Sequence, residues 1–266
     1  MSRWKGLLWK EWIQARLGMA FLVLAAVLSI GVVPFLLQRY AFHEVPVMNI
    51  AFIVMGFWVL ALSYMPVVSL LVSLQADMKR PDIWLHSPAP SYVLVGVKAV
   101  FAVLMTVASM LFLFTVLALA NGLVHLFSGG TGLPEGVPIG WFMGFFAEVG
   151  TVSLFLGVMQ MVLGFLFWTI YQWLKKFTKI GAVILTGMLV GATFYAFQKV
   201  ARWGPYEKLA GYGEIPLTYT ERLNRVNDWS LDFTGTIAAS GVGLAAIEAI
   251  LLAMLAIYIF NRKVAR

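Results

Sequence analysis

Glu148 and Glu248 are the only ionisable residues standing well inside long apolar runs of this chain. Placing a carboxyl at membrane depth costs about 2.5 kcal/mol or more, so such a residue marks a transport pathway or a buried contact. Gly241, Ala245, Glu248 and Leu252 share one face at helical spacing, which puts Glu248 on a small-residue face suited to a helix interface. Glu148 lies near one end of its run, where its carboxyl could reach the headgroups. Other chemistry is thinly represented. The chain has no cysteine, which excludes disulfides, thiolate catalysis and cysteine-based metal sites. His43, His86 and His125 are read as lying in three separate loops without metal-ligand spacing, so no metal or other bound cofactor is expected. No G-x-S-x-G element or intramembrane Ser/His pairing occurs, so the chain itself is not expected to be an enzyme.

The elements that must position these carboxylates are dictated by composition. The 266 residues are 61% hydrophobic and 12% charged, with a mean hydropathy of +0.88. Soluble domains run at about 45–50% apolar and 25% charged, so the excess belongs in lipid. Hydrocarbon about 30 Å thick needs roughly 20 apolar residues per helix. Six runs meet that length, at 17–37, 49–75, 97–121, 141–173, 180–198 and 233–260, with Pro66 as an expected kink in the second. Ahead of them, Met1–Arg16 is basic and tryptophan-rich, with Trp4, Leu7, Leu8, Trp12 and Ile13 at helical spacing. It is predicted to be an uncleaved interfacial amphipathic helix. The expected fold is therefore all-α and polytopic: one membrane domain of six transmembrane helices spanning residues 1–266.

Orientation follows from the loop cations. With the N-terminus inside, the inner side holds Arg3, Lys5, Lys10, Arg16, Lys79, Arg80, Lys98, Lys175, Lys176, Lys179, Arg262, Lys263 and Arg266. The outer side holds Arg39, Lys199, Arg202, Lys208, Arg222 and Arg225. Both termini are thus expected in the cytoplasm of a cell-membrane protein. The net charge of +7 is explained by this placement, not by nucleic-acid binding. Gly122–Gly140 reads as an outer loop. Residues 199–232 read as a small mixed-charge outer segment, with Thr220-Glu221-Arg222-Leu223 expected to start a short helix.

On the inner side, Asp77–Lys98 (DMKRPDIWLHSPAPSYVLVGVK) interrupts the apolar pattern. Pro81 and Asp82 suit the first turn of a short helix, and Ser87-Pro88-Ala89-Pro90 stops it. Ile83, Trp84 and Leu85 form an apolar knob rimmed by Lys79, Arg80, Asp82 and His86. A membrane protein bearing such a knob is expected to press it against a soluble partner. Elsewhere, Gly150, Gly157 and Gly164 recur every seven residues, and Gly187 and Gly191 form G-x-x-x-G; both are read first as packing within the chain.

The basic Leu-Leu-Trp-Lys-Glu-Trp start, the six runs, the Leu85-His86-Ser87-Pro88 element leading to Lys98, and the outer segment before the last run together resemble the ABC-2-type permeases. These are membrane subunits of ATP-binding cassette exporters, and small six-span examples from Gram-positive bacteria are similar in size. The resemblance implies a coupling helix between spans two and three, with Asp82, Ile83, Trp84, Leu85 and His86 as the ATPase-docking residues. It also implies ATP and Mg on separate ATPase subunits, and a second permease subunit, identical or homologous. A pathway walled by Leu, Phe, Val and Gly suits an amphiphilic or peptide-like substrate, and the permeases of similar size include exporters linked to antimicrobial-peptide resistance. Phe127-Ser128-Gly129-Gly130-Thr131 looks like a cassette signature, but no G-x-x-x-x-G-K-[ST] is present to cradle phosphates, so its glycines read as turn residues. Two other classes stay open. One is a non-transporting scaffold or sensor subunit. The other, a membrane-embedded enzyme, would need convergent polar residues beyond Glu148 and Glu248.

Overall fold

The computed structural model describes residues 3–43, 45–79, 90–128, 139–217 and 236–264. Helix α1 (Arg3–Val27) passes through a π-helical turn at Leu28–Val32 into α2 (Val33–Tyr40). Helices α3 (Val47–Ser63) and α4 (Met65–Met78) follow, then α5 (Ser91–Ser128), α6 (Ile139–Leu174) and α7 (Lys179–Ala201). A short α8 (Gly204–Ala210) and strand β1 (Glu214–Pro216) precede β2 (Thr236–Ala238) and α9 (Ala239–Ile259), which ends in a π-turn at Phe260–Val264. Five of these stretches are long and apolar enough to cross a bilayer, and the α3–α4 pair, bent by 43°, makes a sixth if it crosses as one broken span. The chain is a helical, multi-pass membrane protein.

Two prolines shape the first two spans. Pro66 offers no N–H to Leu62 and its ring crowds that carbonyl, so the helix breaks at Tyr64, close to the proline where a kink is expected. Pro34 does the same to Ile30. Here the backbone answers with one wide turn, Val33 N–H bonding to the Leu28 carbonyl, and the helix continues.

Several expected boundaries move. No break separates an interfacial helix from a first span at Arg16: Trp4–Tyr40 is one 37-residue helical stretch, because nothing between Gly6 and Pro34 interrupts backbone bonding. Helix α5 runs to Ser128, so Gly122 and His125 are helical where a loop was expected. The last span begins at Ala239, not Phe233; Thr236–Ala238 instead pairs antiparallel with Glu214–Pro216, matching Ile215 to Ile237. Gly213 turns the chain into β1 at φ +77°, a conformation open to glycine. The short helix expected at Thr220–Leu223 lies outside the described residues.

Contacts group the chain into two compact units, Met1–Pro66 with Val97–Gly157, and Val67–Gly96 with Val158–Arg266. In the first, Met48, Ala51, Met55, Val59 and Leu62 of α3 form a buried seam three or four residues apart, and Met110, Leu113, Leu117 and Val124 of α5 lie along a similar one. Ala26, Ile30 and Phe146 complete this core, with the rings of Phe52 and Phe146 stacked at 5.9 Å. Some polar groups of this unit are satisfied by nearby partners, as lipid demands, while the buried Asn121 Oδ1 has none among the described residues. Thr106 and Ser109 donate their hydroxyls to the carbonyls four residues back. The Trp58 indole donates to Ser29 Oγ at 2.7 Å, inside the π-turn.

In the second unit, Phe165, Trp168 and Phe260 pack ring against ring at 6.2–6.4 Å. Gln75 Oε1 accepts from Gln172 Nε2 at 3.1 Å and from Trp168 Nε1 at 3.4 Å. The glycines every seven residues on α6 pack within the chain. In the first unit a Cβ at Gly157 would run into the Ser63 carbonyl oxygen, and in the second one at Gly164 would run into Val67. Gly187 and Gly191 differ: a Cβ on either would meet nothing within 4 Å, so the expected internal packing of that G-x-x-x-G is absent among the described residues.

Candidate functional site

The five expected docking residues, Asp82, Ile83, Trp84, Leu85 and His86, lie outside the described residues. Their flanks are described. Helix α4 ends at Met78, and α5 is opened by Pro90, whose carbonyl accepts from Val93 N–H at 2.9 Å. Lys98, expected to open a span, sits about two turns into α5 and is buried. Its ammonium donates to Glu11 Oε1 at 2.6 Å, with only 4% and 6% of the two side chains exposed. This contact joins α1 to the start of α5 across 87 residues of sequence. Glu11 carried one local signal, as the sole acid in a basic, tryptophan-rich segment.

Glu148 falls early in the candidate span Met143–Leu174, as expected, and is half-buried. Glu248 occupies a more specific place. It accepts a hydrogen bond at 3.2 Å from the hydroxyl of Tyr206 on α8. Helix α8 is held there for local reasons: Pro205 suits its first turn, and Glu207 and Lys208 match the helix dipole at its two ends. A Cβ on Gly241 would stand 3.1 Å from the Ala210 carbonyl, so the small-residue face of α9 does form a helix contact, with α8. Next to it, Ser240 Oγ accepts from Tyr212 N–H at 2.9 Å. Burial raises the Tyr206 phenol above its ordinary range, and the charge and hydrogen bond of Glu248 add to that rise. The phenol therefore stays a donor at any physiological pH.

Glu248 also lines a groove of about 510 Å³ between α7 and α9, walled by Ala192, Ala196, Phe197 and Val200 on one side and Leu251 and Leu252 on the other. Towards the other end of α9, Trp173, Tyr258, Arg262 and Lys263 line a second recess of about 450 Å³. There Arg262 sits 4.9 Å over the Tyr258 ring and Lys263 5.5 Å over the Trp173 ring, the arrangement of an aromatic and cationic interface belt. Lys176 Nζ donates to the Lys263 carbonyl at 2.6 Å, tying the α6–α7 turn to the end of α9.

No group of three or more metal-ligating side chains occurs among the described residues. Of the cassette-like signature, Phe127 and Ser128 belong to the end of α5 and the remainder lies outside the described residues. No protein-family model matches this chain, and neither does any curated protein or solved structure.

Proposed function

We propose that the chain is the membrane-spanning subunit of an ATP-binding cassette exporter. It would pair with a second permease and be driven by separate ATPases that dock on residues 77–98. The observation that carries this reading is the buried Lys98–Glu11 pair in the helix that follows the Ile83–Leu85 segment read from the sequence as a knob. A force applied to that knob would enter α5, and the ion pair would pass it to α1 without slack, because a buried charge pair resists separation. The ATPase itself is suggested by the resemblance to ABC-2-type permeases. In this reading the cation-rich segments at 3–16, 79–98, 175–179 and 262–266 face the cytoplasm, and α8 with its strand pair faces outward.

The test is Trp84→Ala combined with Leu85→Ala in the full chain, purified from its own host. The wild-type chain is expected to copurify with a cassette ATPase whose hydrolysis responds to the chain. The double variant should lose that association, or hydrolyse ATP without transport. A double variant that remains bound and fully coupled removes the docking role.

A further inference from the structure

We infer that the groove between α7 and α9 is a binding site for a diffusible cationic amphiphile, with Glu248 as the countercharge for its positive group. Three observations converge on it. The groove, about 510 Å³, falls within the roughly 300–1,000 Å³ of small-molecule sites and is apolar along nearly its whole length. Glu248 interrupts that apolar lining, and no cation pairs with it among the described residues. Thr193, the other polar residue lining the groove, already donates to the Leu189 carbonyl at 2.8 Å. Lys199, next to Val200, carries its ammonium 5.6 Å over the Tyr195 ring.

The position of the carboxylate fixes the shape of the ligand. At 1.5 Å per residue, Glu248 stands about 22 Å along α9 from Lys263, some three-quarters of the way across hydrocarbon about 30 Å thick. A ligand seated there would leave its charge at Glu248 and lay its apolar body along Phe197, Leu251 and Leu252. Tyr206 acts as a positioning residue: its hydroxyl donates to one carboxylate oxygen and leaves the other for the ligand. As a substrate site the groove rests on the export reading. Binding, however, is measured on this chain alone, so failure to find an ATPase would not touch it.

The experiment uses two probes of one shape and opposite charge, tetraphenylphosphonium and tetraphenylborate. Saturable binding is followed by equilibrium dialysis of the full chain in phosphatidylcholine nanodiscs. The phosphonium should bind and the borate should not. Glu248→Gln should weaken phosphonium binding tenfold or more. Ala196→Phe, at an exposed position that lines the groove, should abolish it. If Glu248→Gln does not fold, Ala196→Phe decides the matter. The inference is overturned by equal binding of the two ions, by binding that survives Ala196→Phe, or by no saturable binding at all. It is also overturned if phosphatidylethanolamine in the disc displaces the phosphonium, since an ammonium lipid would then be the resident. A wild-type dimer that Ala196→Phe turns into a monomer, with no cation bound, would assign the groove to a second copy instead.

Discussion

Removing one partner of the Glu11–Lys98 pair should destabilise the protein more than removing both. At 2.6 Å and an effective dielectric constant of about 20, the attraction is worth about 6 kcal/mol. Burying the two ions costs several kcal/mol each, so the pair as a whole nets little against two apolar side chains of similar volume. Lys98→Met takes from Glu11, 6% exposed, the ammonium that lies 2.6 Å from it, and Glu11→Met takes from Lys98, 4% exposed, the carboxylate to which it donates. Each single variant should lose about 3–5 kcal/mol. At about 2–4 °C per kcal/mol for chains near this size, the melting midpoint should fall by about 6–20 °C. The double variant should recover most of that loss and melt within about 4 °C of the wild type, under the same scaling. Thermal melts in detergent, read by fluorescence-detected size exclusion, provide the comparison. Single variants that melt with the wild type, or a double variant whose loss is the sum of the singles, would refute the buried-pair reasoning.

Close packing and the Tyr206 hydrogen bond each set a further expectation. Gly157→Ala should cost about 1–3 kcal/mol, because its methyl group must displace the Ser63 carbonyl, whereas Gly187→Ala should be neutral or stabilising by up to about 1 kcal/mol; melts of the two variants side by side test the contrast. Tyr206 has a raised phenol in the folded state, so its stabilising effect is complete below the ordinary tyrosine range near 10 and is lost as pH climbs through the folded value. Tyr206→Phe should therefore melt with a flatter pH dependence above pH 10 than the wild type, and identical alkaline profiles would count against the hydrogen bond.

Length and hydropathy made the spans legible, since a run such as Val97–Asn121 has no stable place outside lipid. Pro66 announced its kink because a missing N–H acts within one turn. Pro34 carried the same local signal, but a wide turn lets a helix absorb a proline without ending, so its effect was hidden. The basic, tryptophan-rich start read as a separate interfacial helix because its amphipathic pattern differs from that of the apolar run beyond Arg16; a change of pattern does not break a backbone. Strands of three residues are too short for alternation to show. The site was least legible. Glu248 stood out by type, but its partner Tyr206 lies 42 residues away, and Lys98 lies 87 residues from Glu11. Such pairs are made by tertiary packing, which no local spacing encodes.

Burial within the chain is uneven, and lipid decides what that unevenness means. The most apolar window of α5 is 44% buried, against 11% for α9 and 6% for α7. In water, faces as apolar as those of α7 and α9 would demand a covering partner. In a bilayer they do not, because acyl chains are as apolar as leucine and no hydrophobic force drives such faces together. The open G-x-x-x-G of α7 permits a close helix approach without requiring one. Glu248 is different in kind. Acyl chains satisfy Leu251 and Phe197 but offer a carboxylate nothing, and among the described residues the Tyr206 phenol donates to one of its two oxygens. Of the features along the α7–α9 groove, the carboxylate is therefore the one that lipid tails leave unsatisfied, and it is there that a ligand gains most by binding.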